Sequence, residues 1–445
     1  MLASIYAAQA HIPAAESLEP PATTPPIKSY AIARGDTNEN CASSVALCVL
    51  CGEEMTTVPK SADIVILGAG VMGASIAFHL SKRKAGNIVV IDKDHVGRGG
   101  SGRSSALVRM HYSYPPEVQL ALISLHMFEN WQEVVGEPGD FRKTGFVRIV
   151  HPTETKRLKL NVAMQQKLGV NVGLITRDDL RKLEPDWNVD KVELAAYEPD
   201  SGYGDGAGVA NDFLNCARDL GALYLPRTHA AAFKVHAGRV HGVITGQGEI
   251  AAPIVVAATG PWTRPLFQAV GYDLPIETEF HQVAILKNAP GMKGGGCACI
   301  DSVTATYFRS DAHDKFLLGD FYGQRPVDPD NFPQRVSDEV LEDLIERAHR
   351  RIPKLESAEV MRGVTGVYDM TPDSRPLLGA IPGIEGLHVC TGFSGMGFKI
   401  SPAIGLVMSE LLLDGKGKSV DVSAFRPGRF AEGLPIQAEY EYKDD

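Results

Sequence analysis

The sequence predicts an α/β fold: a discontinuous Rossmann-like nucleotide-binding domain, with an inserted α+β domain whose sheet is mainly antiparallel. Three observations predict it. Residues 62–92 read as strand, glycine turn, helix, strand and acidic residue, which is the pattern of a dinucleotide-binding βαβ unit. Alternating strand and helix patterns recur in the middle of the chain and near its C-terminus. The segments between them are rich in β-type runs, which indicates that a second domain interrupts the first.

The glycines of the first unit have distinct expected tasks. Gly68 permits a tight turn after the strand, Gly70 lets a pyrophosphate approach the backbone, and Gly73 lets the helix pack close to the strand. The helix N-terminus offers free N–H groups to the phosphates. Asp92, about 20 residues further on, is placed to bind a ribose. From this unit we predict the cofactor-binding residues Gly68, Ala69, Gly70, Val71, Met72, Gly73, Asp92 and Lys93.

The later elements are predicted from apolar periodicity and from the positions of glycine and proline. In chain order they are a helix over 116–131, a strand and a helix within 144–176, a helix over 213–220, strand segments 234–240 and 243–245 joined by a turn, a buried strand over 254–259, β-type runs within 277–320, a helix over 340–350, a strand over 386–391 and a helix over 402–413. They place the nucleotide-binding domain at 61–143, 197–275 and 365–430, and the inserted domain at 144–196 and 276–364.

The two chain ends lack such a pattern. Residues 1–60 are rich in Pro, Ala, Ser and Thr and are predicted to be a disordered leader or tail, with Met55 as an alternative start. An organelle-targeting role is disfavoured by the acidic residues of this segment. Cys48 and Cys51 form a CxxC without a second pair, so we interpret it as incidental and predict no metal site. Residues 431–445 are predicted to be a C-terminal tail.

Bulk composition narrows the functional classes. A chain of 445 residues suffices for two domains, and 44% hydrophobic and 22% charged residues are ordinary for a globular protein. The net charge of −10 argues against a nucleic-acid partner. No apolar run approaches the roughly 20 residues that span a bilayer. Seven cysteines in this length do not indicate a secreted disulfide framework.

Four further motifs give the chain a family resemblance. They are GRSSALVRMHY (102–112), ATGPW (258–262), GVYDMTPDSRPLLG (366–379) and TGFSGMGFKISPAIG (391–405). With the glycine motif they resemble the FAD-dependent oxidoreductases of the D-amino-acid oxidase superfamily. Within it, the sarcosine oxidase β-subunit and dimethylglycine dehydrogenase branch is the most similar. The resemblance covers about residues 62–425.

The resemblance implies a bound FAD. It assigns the adenine contact to the Val235 backbone and directs the glycine turn before the last helix toward the flavin ring. Gly366 stands where monomeric sarcosine oxidase has the cysteine that bonds to its flavin, and residues 99–106 contain no histidine, so we predict non-covalent FAD. The further cofactor residues that it implies are Arg103, Ser104, Ser105, Val235, Gly260, Trp262, Gly392, Gly395, Met396, Gly397, Phe398 and Lys399.

The resemblance also implies a substrate site. Arg109 resembles the arginine that clamps the substrate carboxylate in sarcosine oxidases, and Lys399 resembles the lysine that shares this task. Tyr368 stands where enzymes such as glycine oxidase have an arginine, which favours a secondary or tertiary amino acid over a primary one. Tyr307 and His281 match the site more loosely, and a structural role for His281 is equally open.

The implied activity is oxidation of a sarcosine-, dimethylglycine- or proline-like amino acid. A hydride passes from the C–H next to nitrogen to flavin N5, and the resulting imine hydrolyses. Met396 replaces the active-site histidine of the oxidase and Leu317 replaces its oxygen-activating lysine, which favours a dehydrogenase. Two alternatives stay open. One is a flavin-binding subunit or respiratory-complex assembly factor with little turnover, and the other is an NAD-dependent enzyme, against which the C-terminal motifs speak.

The expected partners follow from this activity. They are a small amino-acid substrate and an electron acceptor, which is a protein, a quinone or O2. Partner subunits of a hetero-oligomer are compatible with the resemblance. The expected location is the cytoplasm, with the mitochondrial matrix as the alternative.

Overall fold

The computed structural model describes residues 58–292, 296–311, 314–321, 323 and 326–442. The predicted leader, except for residues 58–60, lies outside the described residues, and with it Cys48, Cys51 and Met55. Among the described residues, no helix is long and apolar enough to cross a bilayer.

Helices and strands alternate along most of the described chain. The helices are α1 (Val71–Lys82), α2 (Pro115–Glu129), α3 (Trp131–Val134), α4 (Thr155–Lys167), α5 (Arg177–Leu183), α6 (Gly206–Asp219), α7 (Thr263–Gln268), α8 (Asp338–His349) and α9 (Gly397–Asp414). The strands are β1 (Ile64–Leu67), β2 (Ile88–Ile91), β3 (Leu107–Val108), β4 (Arg142–Lys143), β5 (Phe146–Ile149), β6 (Gly173–Thr176), β7 (Leu194–Glu198), β8 (Gly202–Tyr203), β9 (Leu223–Leu225), β10 (Ala230–His236), β11 (Arg239–Thr245), β12 (Gly248–Ala251), β13 (Ile254–Ala257), β14 (Glu277–Lys287), β15 (Ala298–Asp301), β16 (Thr306–Asp311), β17 (Lys315–Asp320), β18 (Glu359–Met370), β19 (Leu377–Ala380) and β20 (Leu387–Thr391).

The first large sheet, sheet A, has the strand order β19-β20-β13-β1-β2-β9, and its pairs are parallel except β19 with β20. β1 lies at its centre and is buried on both faces. Ile64 and Ile66 pack in the core formed with α1, α6 and α9, whereas Val65 and Leu67 pack in the core on the other face. A parallel strand covered on both faces needs apolar residues at every position, which is why this strand can be read from the sequence.

The second large sheet, sheet B, has the order β18-β14-β17-β16-β15-β5-β7-β6 and is antiparallel except for β15 with β5. Leu344 and Ile345 of α8 pack in one buried cluster with Leu286 of β14, so the sheet has its own core. Two short antiparallel sheets, β10-β11-β12 and β3-β8-β4, complete the fold. The predicted α/β class with an antiparallel second sheet is confirmed. β18 runs across the predicted domain boundary at residue 365.

The sequence places two features wrongly, namely the turn between β10 and β11 and the start of α6. The turn in the strand pair lies at Ala237 and Gly238, not between residues 240 and 243. Their φ values of 48° and 73° match the type I′ turn that joins β10 tightly to β11. The helix predicted from residue 213 begins at Gly206, because Asp205 caps it: its carboxylate accepts from the Ala207 N–H at 2.9 Å.

The last helix also begins earlier than predicted. It starts at Gly397, and Pro402 lies inside it instead of at its first turn. Pro402 has no N–H to give to the Phe398 carbonyl. The Ser401 hydroxyl donates to that carbonyl at 2.8 Å, so the missing backbone bond is replaced and the helix continues.

Candidate active site

A cavity of about 830 Å³ opens at the carboxyl ends of the parallel strands of sheet A. Leu67, Asp92 and Ala258, which end or directly follow β1, β2 and β13, line it. The other walls come from four places, namely the loop 98–104, residues 228–231, residues 329–334 and the start of α9. This edge is where open α/β sheets bind their ligands.

The N-terminus of α1 faces the cavity, and its first turn contains no acidic residue. A Cβ on Gly73 would lie 1.9 Å from the Gly68 carbonyl oxygen, so only glycine lets α1 start this close to β1. The Val71 N–H donates to the Ser101 hydroxyl at 3.0 Å. Helix N–H groups, the helix dipole and a nearby hydroxyl together suit a phosphate.

The Asp92 carboxylate fixes the glycine loop as well as facing the cavity. Its Oδ2 accepts from the Ala69 N–H at 2.7 Å, and its Oδ1 accepts from the Asp94 N–H at 2.8 Å. The side chain therefore joins the ends of β1 and β2. Its contact with a ribose stays a prediction.

Residues 329–334 reach the cavity from the segment that follows sheet B strand β17. The Asp330 carboxylate accepts from Lys93 Nζ at 2.7 Å and from Trp262 Nε1 at 2.8 Å. Lys93 Nζ also lies 4.0 Å from the centroid of the Trp262 ring. Phe332 of the same segment lines the cavity. The cavity is thus completed by residues from both predicted domains.

Tyr368 is the centre of an aromatic cluster beside the cavity. Gly395 lies against its ring, since a Cβ there would be 2.8 Å from Tyr368 Cε2. The His281 ring stacks on Tyr368 with 3.9 Å between centroids, and His281 Nε2 lies 2.7 Å from Glu279 Oε1. Burial and the neighbouring Tyr368 raise the pKa of Tyr307 well above its ordinary value. Burial also raises the pKa of Tyr368, so both phenols are neutral.

Lys399 and Arg109 are two basic side chains that lie close to each other. Lys399 Nζ donates to the Gly395 carbonyl at 3.3 Å. Burial, and then the charge of Arg109, hold the pKa of Lys399 well below its ordinary value. Arg109 Nη1 donates to the His111 carbonyl, and the guanidinium lies 4.6 Å from the Tyr112 ring centroid. Within the described part of the chain, neither residue forms a salt bridge with a carboxylate, although the Arg109 charge acts to lower the pKa of the buried carboxyls of Glu117 and Glu198.

The structure brings most of the predicted cofactor residues to one cavity. Those that line it are Gly68, Gly70, Val71, Met72, Asp92, Lys93, Arg103, Ser104, Gly260, Trp262, Gly395, Gly397 and Phe398. Those that are not in its lining, although their neighbours in the chain are, are Ala69, Gly73, Ser105, Gly392, Met396 and Lys399. Of the predicted catalytic residues, Tyr368 lines the cavity. Tyr307 and His281 lie next to Tyr368, and Arg109 lies near Lys399.

Val235 does not line the cavity. It lies in β10, paired with Val240 of β11, and packs against the core on that side of sheet A. The cavity wall here is formed by residues 228–231, at the beginning of β10. The strand leads away from the cavity, so we move the proposed adenine contact from Val235 to these earlier residues.

Several residues that line the cavity, and Glu279 beside His281, are not predicted from the sequence. Ser101 lies in the Gly/Ser/Arg loop that the sequence marks, but the resemblance points only to later residues of that loop. Asp330 and Phe332 belong to a segment without apolar periodicity, and Glu279 is an ordinary strand residue in the sequence. No local signal identifies these three, because their position depends on how sheet B packs beside the cavity.

Comparison with known proteins gives consistent matches. A family model described as DAO, FAD dependent oxidoreductase, matches residues 63–411. FAD-dependent oxidoreductase domain-containing protein 1 of Mus musculus is 26% identical over 423 residues, which cover 85% of this chain and 87% of that protein. Sarcosine oxidase subunit beta of Rhizobium meliloti is 26% identical over 387 residues, covering 84% and 89%. The crystal structure of L-proline dehydrogenase from P. horikoshii has a TM-score of 0.80 and 28% identity, covering 85% of this chain and 100% of that chain.

Proposed function

Because this chain belongs to the DAO family of FAD-dependent oxidoreductases, we propose that it oxidises a secondary or tertiary amino acid of the sarcosine, dimethylglycine or proline type. The family confirms the predicted enzyme class and the predicted FAD. The observation that carries the substrate proposal is that the buried Lys399 and the half-buried Arg109 are neighbours, and that neither forms a salt bridge with a carboxylate among the described residues. The carboxylate of an amino acid is an anion that would complete this pair.

The residues around the cavity fit FAD. The N-terminus of α1 and the Ser101 hydroxyl would hold the pyrophosphate, Asp92 the ribose, and residues 228–231 the adenine. The ring would lie near Tyr368 and the start of α9. When bound, FAD supplies the acceptor for the electrons of the C–H bond next to nitrogen. Gly366 offers no side chain for a covalent link, so we keep the non-covalent assignment.

The two cations would act by orienting the substrate. Arg109 Nε is buried without a hydrogen-bond partner in the described residues, so the guanidinium keeps a donor for a carboxylate. Lys399 Nζ has donors beyond the one that Gly395 accepts. A carboxylate bound between them also favours the charged form of Lys399 beside the Arg109 guanidinium. With its carboxylate bound by Arg109 and Lys399, the substrate would have the carbon next to its nitrogen held at a fixed distance from these two side chains.

Tyr368 would set the preference for a substituted nitrogen. A neutral phenol stands here, with the His281 ring stacked on it. An aromatic side chain packs favourably against an N-methyl group or a ring methylene of the substrate. An arginine at this position would instead have its charged guanidinium desolvated by the same apolar group. His281 is hydrogen-bonded to Glu279 and is a candidate to accept the proton of the substrate amine. Its packing on Tyr368 supports a structural role equally.

The electron acceptor is proposed to be a protein or a quinone. Leu317 of β17 is buried in an apolar group with Val283 and Ile285, and Met396 precedes α9. Neither residue supplies the positive charge that would favour reduction of O2. We therefore propose a dehydrogenase rather than a fast oxidase.

The test is anaerobic reduction of the FAD-loaded protein by sarcosine, dimethylglycine, L-proline and glycine, followed by flavin absorbance. We expect bleaching by at least one N-substituted amino acid and little by glycine. If none of them bleaches a protein that retains its FAD, the alternative of a flavin-binding subunit or assembly factor is favoured. Bleaching by glycine alone contradicts the role given to Tyr368. Rapid formation of hydrogen peroxide in air contradicts the dehydrogenase assignment.

Partner subunits and the compartment are also proposals. We keep the cytoplasm as the proposed location, with the mitochondrial matrix as the alternative. Co-purification of the native protein from its source, followed by cell fractionation, tests both points. Recovery as a complex with a redox protein supports the proposed acceptor.

A further inference from the structure

The C-terminal segment 436–442, here called the strap, is anchored to the body of the protein. The Ile436 N–H donates to Asp373 Oδ2 at 2.9 Å. Arg375 Nη1 donates to Glu441 Oε1 at 2.6 Å. On the other side, Asn161 Nδ2 of α4 donates to the carbonyl of Tyr440 at 2.9 Å. The strap therefore joins α4 to the loop between β18 and β19.

The strap brings Tyr442 to His111. The Tyr442 hydroxyl lies 2.7 Å from His111 Nε2, and the two rings are stacked with 6.0 Å between centroids. The guanidinium of Arg148 lies 4.9 Å from the Tyr442 ring centroid. Tyr442 is only 7% exposed, although it is close to the chain end. Such burial indicates that the Tyr442 side chain is packed into the protein interior and does not lie on the surface.

His111 connects this contact with Arg109. Its carbonyl accepts the hydrogen bond from Arg109 Nη1, and the preceding residue, Met110, donates its N–H to Glu198 Oε2 at 2.9 Å. Burial, with the nearby charges of Arg148 and Arg109, holds the pKa of His111 well below its ordinary value, so the ring is neutral. Residues 109–111 are thus held in place at two points: Tyr442 contacts the His111 ring, and Glu198 accepts from the Met110 N–H.

Buried polar atoms beside this stretch add a second reason why the strap matters. His111 Nδ1, the Tyr112 hydroxyl and Glu198 Oε1 are buried and have no hydrogen-bond partner within the described residues, although His111 Nδ1 lies 3.7 Å from Glu198 Oε1. Hydrogen bonds from water would stabilise such atoms. If Tyr442 moves away, water can enter beside His111, and the backbone carbonyl that orients Arg109 is free to shift.

We propose that Tyr442 is a positioning residue for the substrate carboxylate. By holding His111, it keeps the Arg109 guanidinium in the orientation that receives the anion together with Lys399. This inference rests on the proposed function, since it assigns Arg109 to a carboxylate. It adds to that function an element at the far end of the chain, which the sequence gives no reason to connect with the site.

The experiment compares Tyr442→Phe with the native protein. The variant keeps the ring and loses only the hydroxyl that meets His111. We expect the Kd for acetate, read from the flavin absorbance change, and the KM for the amino acid that bleaches the protein to rise by up to about tenfold, which is the size of coupling typical of residues in one hydrogen-bonded network. FAD content and the limiting rate of flavin reduction should change less than about twofold, because the ring chemistry is untouched.

The matched control is Tyr272→Phe. Tyr272 packs against the core on the other face of sheet A, and the same change there should leave acetate binding unaltered. A second variant, ending the chain after Leu434, removes the whole strap and should weaken acetate binding at least as much as Tyr442→Phe. Unchanged acetate binding in both strap variants overturns the proposal. If the native protein neither binds acetate nor is bleached, the proposed function fails, and the inference fails with it.

Discussion

Lys399 is buried beside the half-buried Arg109, and the charge of Arg109 adds to burial in holding the pKa of Lys399 well below its ordinary value. A charge on Lys399 beside the Arg109 guanidinium costs free energy in the folded state, so the neutral amine is favoured there. Among the described residues, neither forms a salt bridge with a carboxylate, and the carboxyls whose pKa the Arg109 charge acts to lower are those of the buried Glu117 and Glu198. A lysine whose pKa is strongly lowered by burial and by a neighbouring guanidinium is typical of a functional site. The predictions on substrate binding start from this pair.

Arg109→Lys tests whether the guanidinium itself is needed. Lysine keeps the charge but loses the planar set of donors, so we expect kcat/KM to fall about tenfold, and about 100-fold in Arg109→Ala. FAD content should stay unchanged in both. The control is Arg239→Ala, which removes an exposed arginine paired with Glu385. Steady-state kinetics with the best substrate measures the effect, and unchanged kcat/KM in Arg109→Ala removes the clamp from consideration.

The low pKa of Lys399 predicts that carboxylate binding takes up a proton. In the free protein, burial and Arg109 favour the neutral amine, and a bound anion favours the ammonium instead. Affinity for acetate should therefore fall as pH rises from about 6 to about 9. In Lys399→Met this dependence should disappear, because the titrating group is gone. The Kd for acetate from flavin difference spectra at each pH checks this, and equal slopes in both proteins contradict it.

Replacing a glycine by alanine should destabilise the protein at Gly73 and not at an uncrowded glycine elsewhere in the chain. Gly73→Ala places a Cβ 1.9 Å from the Gly68 carbonyl oxygen, which is backbone and cannot move aside without displacing α1. We expect a loss of stability of about 3 kcal/mol and weakened FAD binding. Gly246→Ala is the control, because a Cβ there meets nothing within 4 Å. Chemical denaturation and FAD content measure the two effects, and equal behaviour of both variants argues against the proposed geometry of the loop.

The parts of the site that could be predicted are those with local causes. β1, the glycine turn and β2 are read correctly because each residue of the strand is buried and each glycine has a nearby steric reason. The start of α9 is not, since Pro402 imitates a first-turn proline while Ser401 replaces its missing hydrogen bond. Propensity is a weak guide where one side chain can repair the break.

The parts that could not be predicted depend on long-range packing. Asp330 meets Lys93 and Trp262 only because the segment after β17 folds over the end of the cavity. The strap is similar: its anchors are polar contacts with residues such as Asp373, and its sequence has no apolar period. Arg109 and Lys399 are assigned through the family resemblance, because nothing in their local sequence shows that they are neighbours.

Glu117 predicts a pH-dependent stability. Burial raises the pKa of its carboxyl from the ordinary 4.5 to about 7, although Arg375 Nε lies 3.3 Å from Oε1 and acts in the opposite direction. Between these two values the folded protein keeps a proton that the unfolded chain has lost. The folded state therefore binds more protons, and its stability falls as pH rises through this window.

Glu117→Gln removes this proton exchange and keeps the shape of the side chain. The stability of the native protein relative to the variant should fall by about 1.4 kcal/mol for each pH unit between about 5 and about 7. Glu439→Gln, at an exposed position of the strap, is the control and should show no such slope. Urea unfolding of FAD-saturated protein at several pH values measures the difference. Parallel curves for the native protein and Glu117→Gln would mean that Arg375, shared with Glu441, keeps Glu117 ionised throughout.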